Sequence, residues 1–147
     1  MLLREYQKRL VSKSVNALKE RGNTLAAMAT GGGKTIVLSS VAGAIGGKQL
    51  VLQHRDELVR QNRAKFKLIN PYMSTSAFTA KLRDWSGQTT FGMVQSLVRH
   101  LDTMPALDLL VIDEAHHAVA STYLKVVEKA LALNPGCKIY GVTATPA

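Results

Sequence analysis

The chain has 147 residues, a formal net charge of +9 at pH 7, 46% hydrophobic residues and 20% charged residues. This size and balance fit one globular domain with a single buried core, and they exclude a largely disordered chain. No apolar run approaches the roughly 20 residues that a membrane-spanning helix needs, so no membrane partner is expected.

The predicted elements alternate between helices and strands along the chain. A first helix over about 4–21 ends at Gly22, and the apolar run 24–29 predicts a buried strand. Further strands are expected near 49–53, 74–78, 89–91, 107–112 and 138–142, and further helices near 34–45, 56–69, 94–101 and 121–133, with Asp56 as the cap of the third helix. This alternation predicts an α/β fold: one domain over 1–147 with a mainly parallel, doubly wound sheet and helices on both faces.

A glycine-rich turn joins the first predicted strand to the second helix. Glycines let backbone N–H groups point at phosphate oxygens, and the start of the helix adds a favourable dipole. A lysine after such a turn reaches the β- and γ-phosphates, and the next hydroxyl ligates Mg²⁺. The residues that form this predicted nucleotide site are Thr30, Gly31, Gly32, Gly33, Lys34 and Thr35. Met28 stands where the full P-loop pattern has its first glycine.

Two carboxylates follow the almost wholly apolar strand near 107–112. Asp113 can hold a magnesium ion and Glu114 can polarise the attacking water, while His116 can link the nucleotide to other motifs. A zinc site at His116 and His117 is not expected, because adjacent side chains diverge and the sequence has no matching Cys or His cluster.

These residues resemble a known family. Asp113–His116 resemble motif II of the DExH branch of superfamily 2 helicases, and Ala29–Thr35 resemble motif I, whose first glycine is often replaced. Other likenesses, in chain order, are Leu3–Gln7 to the Q motif, Val51–Leu58 to motif Ia, Phe91–Leu97 to a strand-binding motif and Gly141–Pro146 to motif III. Within the XPB/Ssl2-like and type III restriction-like subgroup, residues 54–62 and 91–96 are most similar to the RadD (YejH) group of bacterial DNA-repair ATPases.

The resemblance implies roles for further residues. Gln7 would read the adenine edge and Arg4 would lie against the base. A nucleic-acid backbone would be held by Arg55, Gln95 and Ser96, and the nucleotide state would be coupled to that strand by Thr143 and Thr145. The basic and aromatic loop with Lys81, Arg83 and Trp85 could stack a base, although a lone tryptophan in a loop more often packs on its own domain.

The resemblance further implies a RecA-like ATP-binding domain of a DNA-dependent helicase or translocase, with ATP and Mg²⁺ as cofactors and DNA favoured over RNA as partner. A second RecA-like domain, in cis or in trans, would supply arginine fingers, so the isolated chain should hydrolyse ATP very slowly and not unwind. The alternatives are an RNA helicase domain and a nucleotide-dependent interaction module whose partner supplies the second domain. A small-molecule P-loop kinase is disfavoured by the motif III and 54–58 segments.

The expected location is the cytoplasm. The charged residues near the start of the sequence are unlike a secretory signal. Cys137 is the single cysteine, so an internal disulfide is excluded and a reducing compartment is the simpler expectation.

Overall fold

The sheet is built entirely from parallel strand pairs. A computed structural model describes residues 3–29, 33–118 and 120–145. Its strands are β1 (Asn23–Ala29), β2 (Gln49–Gln53), β3 (Thr75–Phe78), β4 (Thr89–Met93), β5 (Leu109–Asp113) and β6 (Lys138–Thr145). They form one six-stranded sheet in the order β1-β6-β5-β2-β4-β3. The predicted parallel α/β architecture is therefore confirmed.

Helices connect the strands and cover both faces of the sheet. They are α1 (Glu5–Arg21), α2 (Lys34–Ile45), α3 (Asp56–Ile69), α4 (Val94–Leu97) and α5 (Ser121–Leu133), with 3₁₀ segments at Val98–Thr103 and Ala115–His117. Helix α1 ends at Gly22 with a φ of 83°, a left-handed conformation that glycine adopts without strain. Within the described ranges, no helix combines the length and the apolar character needed to cross a bilayer.

Two hydrophobic cores lie on opposite faces of the sheet. Helices α1, α2 and α3 pack on one face, where Phe66 and Tyr140 are fully buried. Helices α4 and α5 pack on the other face, where Leu97 and Leu110 are fully buried. Every residue of the central strands β2 and β5 is buried, as expected for a parallel sheet that helices cover on each side.

The prediction that β1 is a buried strand is wrong for one of its faces. Among the described strands β1 pairs only with β6, so it lies at an edge of the sheet. Ala26 and Met28 point into the first core, whereas Leu25 on the alternate face is 62% exposed. The apolar run alone does not distinguish an edge strand from a central one.

The predicted helix near 94–101 is broken. Helix α4 ends at Leu97 and continues as a 3₁₀ segment in which His100 has a non-helical φ of −133°. The ring of His100 lies 5.9 Å from that of Phe78, a packing contact that a regular helical pattern does not anticipate. The predicted cap of α3 also moves by one residue, because Arg55 holds the extended cap position and Asp56 lies in the first turn.

Candidate active site

The helix after β1 and the end of β5 bring opposite charges together. Gly33, with a φ of 80°, precedes Lys34, the first residue of α2. The Lys34 Nζ lies 2.7 Å from Asp113 Oδ1 and also donates a hydrogen bond to Glu114 Oε1. The lysine predicted to bind phosphate thus meets the predicted acidic pair, although Lys34 and Glu114 are 80 residues apart in the sequence. Thr30, Gly31 and Gly32 lie outside the described residues.

The cluster is sheltered from water and is charged. The Asp113 side chain is 1% exposed, and those of Lys34 and Glu114 are 21% and 22% exposed. Burial opposes charge on Lys34, but hydrogen bonds and attraction from Asp113 and Glu114 outweigh it, so the pKa of Lys34 is raised. Burial would also raise the pKa of Glu114, but the hydrogen bond and charge of Lys34 outweigh it, so that pKa is lowered. Lys34 and Glu114 are therefore both ionised at neutral pH.

Glu114 has a strained backbone. Its φ of 56° and ψ of 55° are left-handed, and among the described residues it is the single non-glycine residue with a positive φ. Such a conformation costs on the order of 1–3 kcal/mol and is typical of functional sites. The backbone N–H of Glu114 donates to Asp113 Oδ1 at 2.9 Å, which fixes the direction of the neighbouring carboxylate.

A buried asparagine connects the predicted cation ligands. The Thr35 hydroxyl donates to Asn62 Oδ1 at 3.0 Å, and Asn62 Nδ2 donates to Asp113 Oδ2 at 3.1 Å. Asn62 lies within the third predicted helix, and no role in the site was predicted for it. Its one sequence signal is a polar residue at helical spacing between Val59 and Phe66, both of which are buried.

The residues at this strand end fit a phosphate-bound cation. Thr35 and Asp113 supply oxygen ligands of the kind that Mg²⁺ prefers, and phosphate oxygens usually complete its shell. Gln53 follows Leu52, the register partner of Ile112, so it stands beside Asp113. Gln53 is fully buried, and both polar atoms of its amide lack a hydrogen-bond partner among the described residues. Over that same part of the chain, no three His, Cys, Asp or Glu side chains cluster as a metal site of their own.

Gln7 lies against Gly33. Its Oε1 accepts a hydrogen bond from the Arg4 backbone N–H at 2.8 Å, and a Cβ added at Gly33 would overlap its Nε2. Gln7 is 5% exposed, whereas the Arg4 side chain is exposed. The amide oxygen has two lone pairs, so the bond from Arg4 N–H leaves it able to accept a second hydrogen bond, as an adenine contact would require.

Two histidines that follow β5 contact a residue of β6 and the residue after β2. His116 Nδ1 lies 3.1 Å from Thr143 Oγ1 on β6 and 3.6 Å from Glu114 Oε2, so it bridges the predicted motifs II and III. The ring of His117 lies 5.0 Å from that of His54 after β2, where burial and the charge of His117 lower the pKa of His54. His117 is exposed, and its ring contacts those of His54 and Tyr123. Thr145 ends β6 opposite Ala29, and its side chain is not among those described.

The residues predicted to contact nucleic acid follow two neighbouring strands. Gln53 of β2 is the register partner of Met93 in β4, and Arg55 and Gln95 each stand two residues beyond that pair. Both side chains are exposed, and that of Ser96 is half-buried. These residues therefore all follow the carboxyl ends of β2 and β4, the end of the sheet that also carries Lys34 and Asp113.

Trp85 packs on its own domain, as the sequence analysis favoured. Its ring lies 5.0 Å from that of Phe78, and its Nε1 donates to Thr103 Oγ1 at 3.0 Å. Lys81 and Arg83 are exposed in the same loop. In this loop the tryptophan therefore packs against the domain, whereas the two basic side chains face solvent.

Comparison with known proteins identifies relatives of the whole chain. The family described as "Type III restriction enzyme, res subunit" matches residues 1–147. The Saccharomyces cerevisiae protein IRC3, provisionally named an ATP-dependent helicase, is 30% identical over 98% of this chain, which spans 23% of IRC3.

Solved structures with low identity share the fold. The UvsW helicase of bacteriophage T4 is 16% identical with a TM-score of 0.78, over 97% of this chain and 52% of that chain. The Sulfolobus solfataricus SWI2/SNF2 ATPase core in complex with dsDNA is 18% identical with a TM-score of 0.75, over 99% of this chain and 32% of that chain. These likenesses establish a RecA-like α/β fold.

Proposed function

The chain belongs to the family described as the type III restriction enzyme res subunit, and on that premise we propose that it is the ATP-binding motor domain of a superfamily 2 DNA helicase or translocase. The observation that carries the proposal is the contact of Lys34 with Asp113 and Glu114 at the carboxyl end of the sheet. This is the edge at which open α/β sheets bind their ligands. ATP dependence is also part of the name of IRC3, the relative with 30% identity.

Each residue of the cluster has a role in the proposed hydrolysis. Lys34 exchanges its carboxylate partners for the β- and γ-phosphates when nucleotide binds, and Gly33 brings backbone N–H close to them. Thr35 and Asp113 hold Mg²⁺, which when bound neutralises charge on the phosphates. Glu114, released from Lys34, orients the water and accepts its proton as the water oxygen bonds to the γ-phosphorus; the bond from phosphorus to the β–γ bridging oxygen breaks, and that oxygen leaves on ADP. Gln7 and Arg4 face the adenine.

Neighbouring side chains couple the bound nucleotide to the residues that hold the nucleic acid. His116 contacts Glu114 on one side and Thr143 on the other, so it is placed to sense the γ-phosphate. Arg55, Gln95 and Ser96 hold the phosphate backbone of the nucleic acid, which the net charge of +9 favours. Thr143 and Thr145 couple the two sites. DNA is favoured over RNA, and a role in DNA repair is suggested, by the likeness of residues 54–62 to the RadD group.

A complete motor needs a second RecA-like domain, in cis or in trans. Such a domain supplies an arginine finger, which is worth on the order of 10³ to 10⁵ in rate. This chain alone should therefore bind Mg-ATP or Mg-ADP, hydrolyse ATP very slowly and not unwind DNA, because stepping requires two domains that open and close.

Steady-state ATP hydrolysis and nucleotide binding test the proposal. The wild type, Lys34→Ala and the control Lys65→Ala, an exposed lysine of α3, are compared with and without single- and double-stranded DNA. We expect binding that Lys34→Ala abolishes and Lys65→Ala preserves, with negligible turnover throughout. Hydrolysis that DNA stimulates would show that the chain assembles a complete site, and absent nucleotide binding would refute the proposal.

Measurements of DNA affinity test the proposed nucleic-acid contacts of Arg55, Gln95 and Ser96 separately. Arg55→Ala should weaken binding of single-stranded DNA and lower the slope of log K against log salt by about 0.7 if one phosphate contact is lost. The control Arg21→Ala removes an exposed arginine that comes just before β1. It therefore lies at the amino end of the strands, opposite to the end at which Arg55 lies. Equal losses in both variants would show that charge alone, and not these contacts, binds DNA.

A further inference from the structure

Helix α3 contributes a side chain to the nucleotide site from outside the predicted motif I and motif II segments. Asn62 is 5% exposed and lies on the buried face of α3 with Val59 and Phe66. Its amide reaches α2 through Thr35 and β5 through Asp113. It therefore connects three separate elements at the point where the proposed function places the cation.

The direction of the two hydrogen bonds determines what they can do. A threonine hydroxyl has one proton and two lone pairs, and here the proton is directed to Asn62 Oδ1 at 3.0 Å. The lone pairs of Thr35 Oγ1 are consequently left for another partner. Asp113 Oδ2 accepts from Asn62 Nδ2 at 3.1 Å, while Oδ1 faces Lys34 and the Glu114 N–H. The carboxylate is thus held at both oxygens.

We propose that Asn62 is a positioning residue that sets the Thr35 hydroxyl and the Asp113 carboxylate in the orientation needed for cation binding. The inference rests on the proposed function, because that function assigns the cation to Thr35 and Asp113. An amide suits the position because it accepts from the hydroxyl and donates to the carboxylate at once. Partners of this kind, which orient metal ligands without touching the metal, typically change metal affinity by about 10–100-fold when removed.

The test is the Mg²⁺ dependence of ADP binding, measured by calorimetry on the purified chain. Asn62→Leu is of similar size and loses both hydrogen bonds, and Asn62→Ala serves as a second variant that adds no bulk. The Mg²⁺ concentration at half-maximal enhancement of ADP affinity should rise by about 10–100-fold in both variants. ADP affinity in EDTA should stay unchanged, because Lys34 and the phosphate turn remain intact.

A matched control separates this role from general support of the fold. Gln61→Leu changes the adjacent, exposed residue of the same helix and should behave as the wild type. A merely structural role of Asn62 would lower ADP affinity equally with Mg²⁺ and with EDTA, and that result would overturn the inference. So would an Mg²⁺ midpoint that is the same in Asn62→Leu and in the wild type.

The wild type itself distinguishes failure of the inference from failure of the proposed function. If ADP affinity of the wild type ignores Mg²⁺, the proposed function is wrong and the inference is overturned with it. If the wild type responds to Mg²⁺ and both Asn62 variants respond identically, the proposed function stands and the inference alone is wrong.

Discussion

Replacing Lys34 by methionine should destabilise the chain even without any ligand. The change leaves the buried Asp113 and the adjacent Glu114 without their cation. Loss of one partner from a fully buried pair costs about 3–5 kcal/mol. Lys34 is 21% exposed and Asp113 keeps its bonds from Asn62 and the Glu114 N–H. We therefore expect the free energy of unfolding to fall by a smaller amount, about 2–3 kcal/mol. This corresponds to a fall in Tm of roughly 5–12 °C for a domain of this size.

The pH dependence of this loss has a defined sign. The pKa of Glu114 is lowered from 4.5, so its contribution is present above that pH and is lost as the pH falls through the folded-state value. The pKa of Lys34 is raised from 10.5, so its contribution is present below that pH and is lost as the pH rises through the folded-state value. The difference between wild type and Lys34→Met should thus be largest between these two limits and should shrink towards either one.

Urea denaturation in EDTA at pH 7 and near pH 4 measures the difference. The control Lys65→Met removes an exposed lysine and should change the free energy of unfolding by no more than about 0.5 kcal/mol. A Lys34→Met variant that is as stable as the wild type at pH 7 would show that Lys34 does not stabilise the two carboxylates. A deficit that is the same at both pH values would contradict an electrostatic origin of the stabilisation.

Three further predictions concern residues outside the cluster. Burial raises the pKa of Cys137 to about 11, so at pH 7 iodoacetamide should alkylate the native chain on the order of 100-fold more slowly than the urea-unfolded chain; equal rates would contradict this burial. Tyr140→Phe removes the 2.9 Å hydrogen bond to Ser14 and should lower the free energy of unfolding by about 1 kcal/mol in urea titrations, whereas unchanged stability would argue against that bond. Because Trp85 packs on Phe78, its fluorescence should not change when single-stranded DNA binds, and quenching would indicate that a base stacks on it.

Local sequence patterns were sufficient to predict the fold and to single out Lys34, Asp113 and Glu114, which the structure brings together. Helix and strand periodicity gave the bounds of α2 and β2, and the order of elements implied the parallel sheet. Lys34 and Asp113 were predictable because Lys34 follows the glycine-rich turn after an apolar strand and Asp113 stands at the end of another, and parallel strands end on a common side of the sheet. The role predicted for each residue depended only on the residue types within a few positions of it in the sequence.

Contacts made by packing between distant elements were not predictable. The bridging role of Asn62 depends on how α3 lies against α2 and β5, which one sequence does not reveal. The contact of Gln7 with Gly33 and the interruption of a helix at His100 have the same origin. The exposure of Leu25 follows from strand order, and an apolar run carries no information about that order.

NMR on the isotopically labelled chain of 147 residues can locate the bound nucleotide directly. Addition of Mg-ADP should shift the backbone amides of Gly33, Lys34, Thr35 and Glu114, with a smaller effect at Gln7. Lys34→Ala should abolish these shifts. No shifts, or shifts confined to a surface away from the carboxyl end of the sheet, would contradict the claim that this cluster is the nucleotide site.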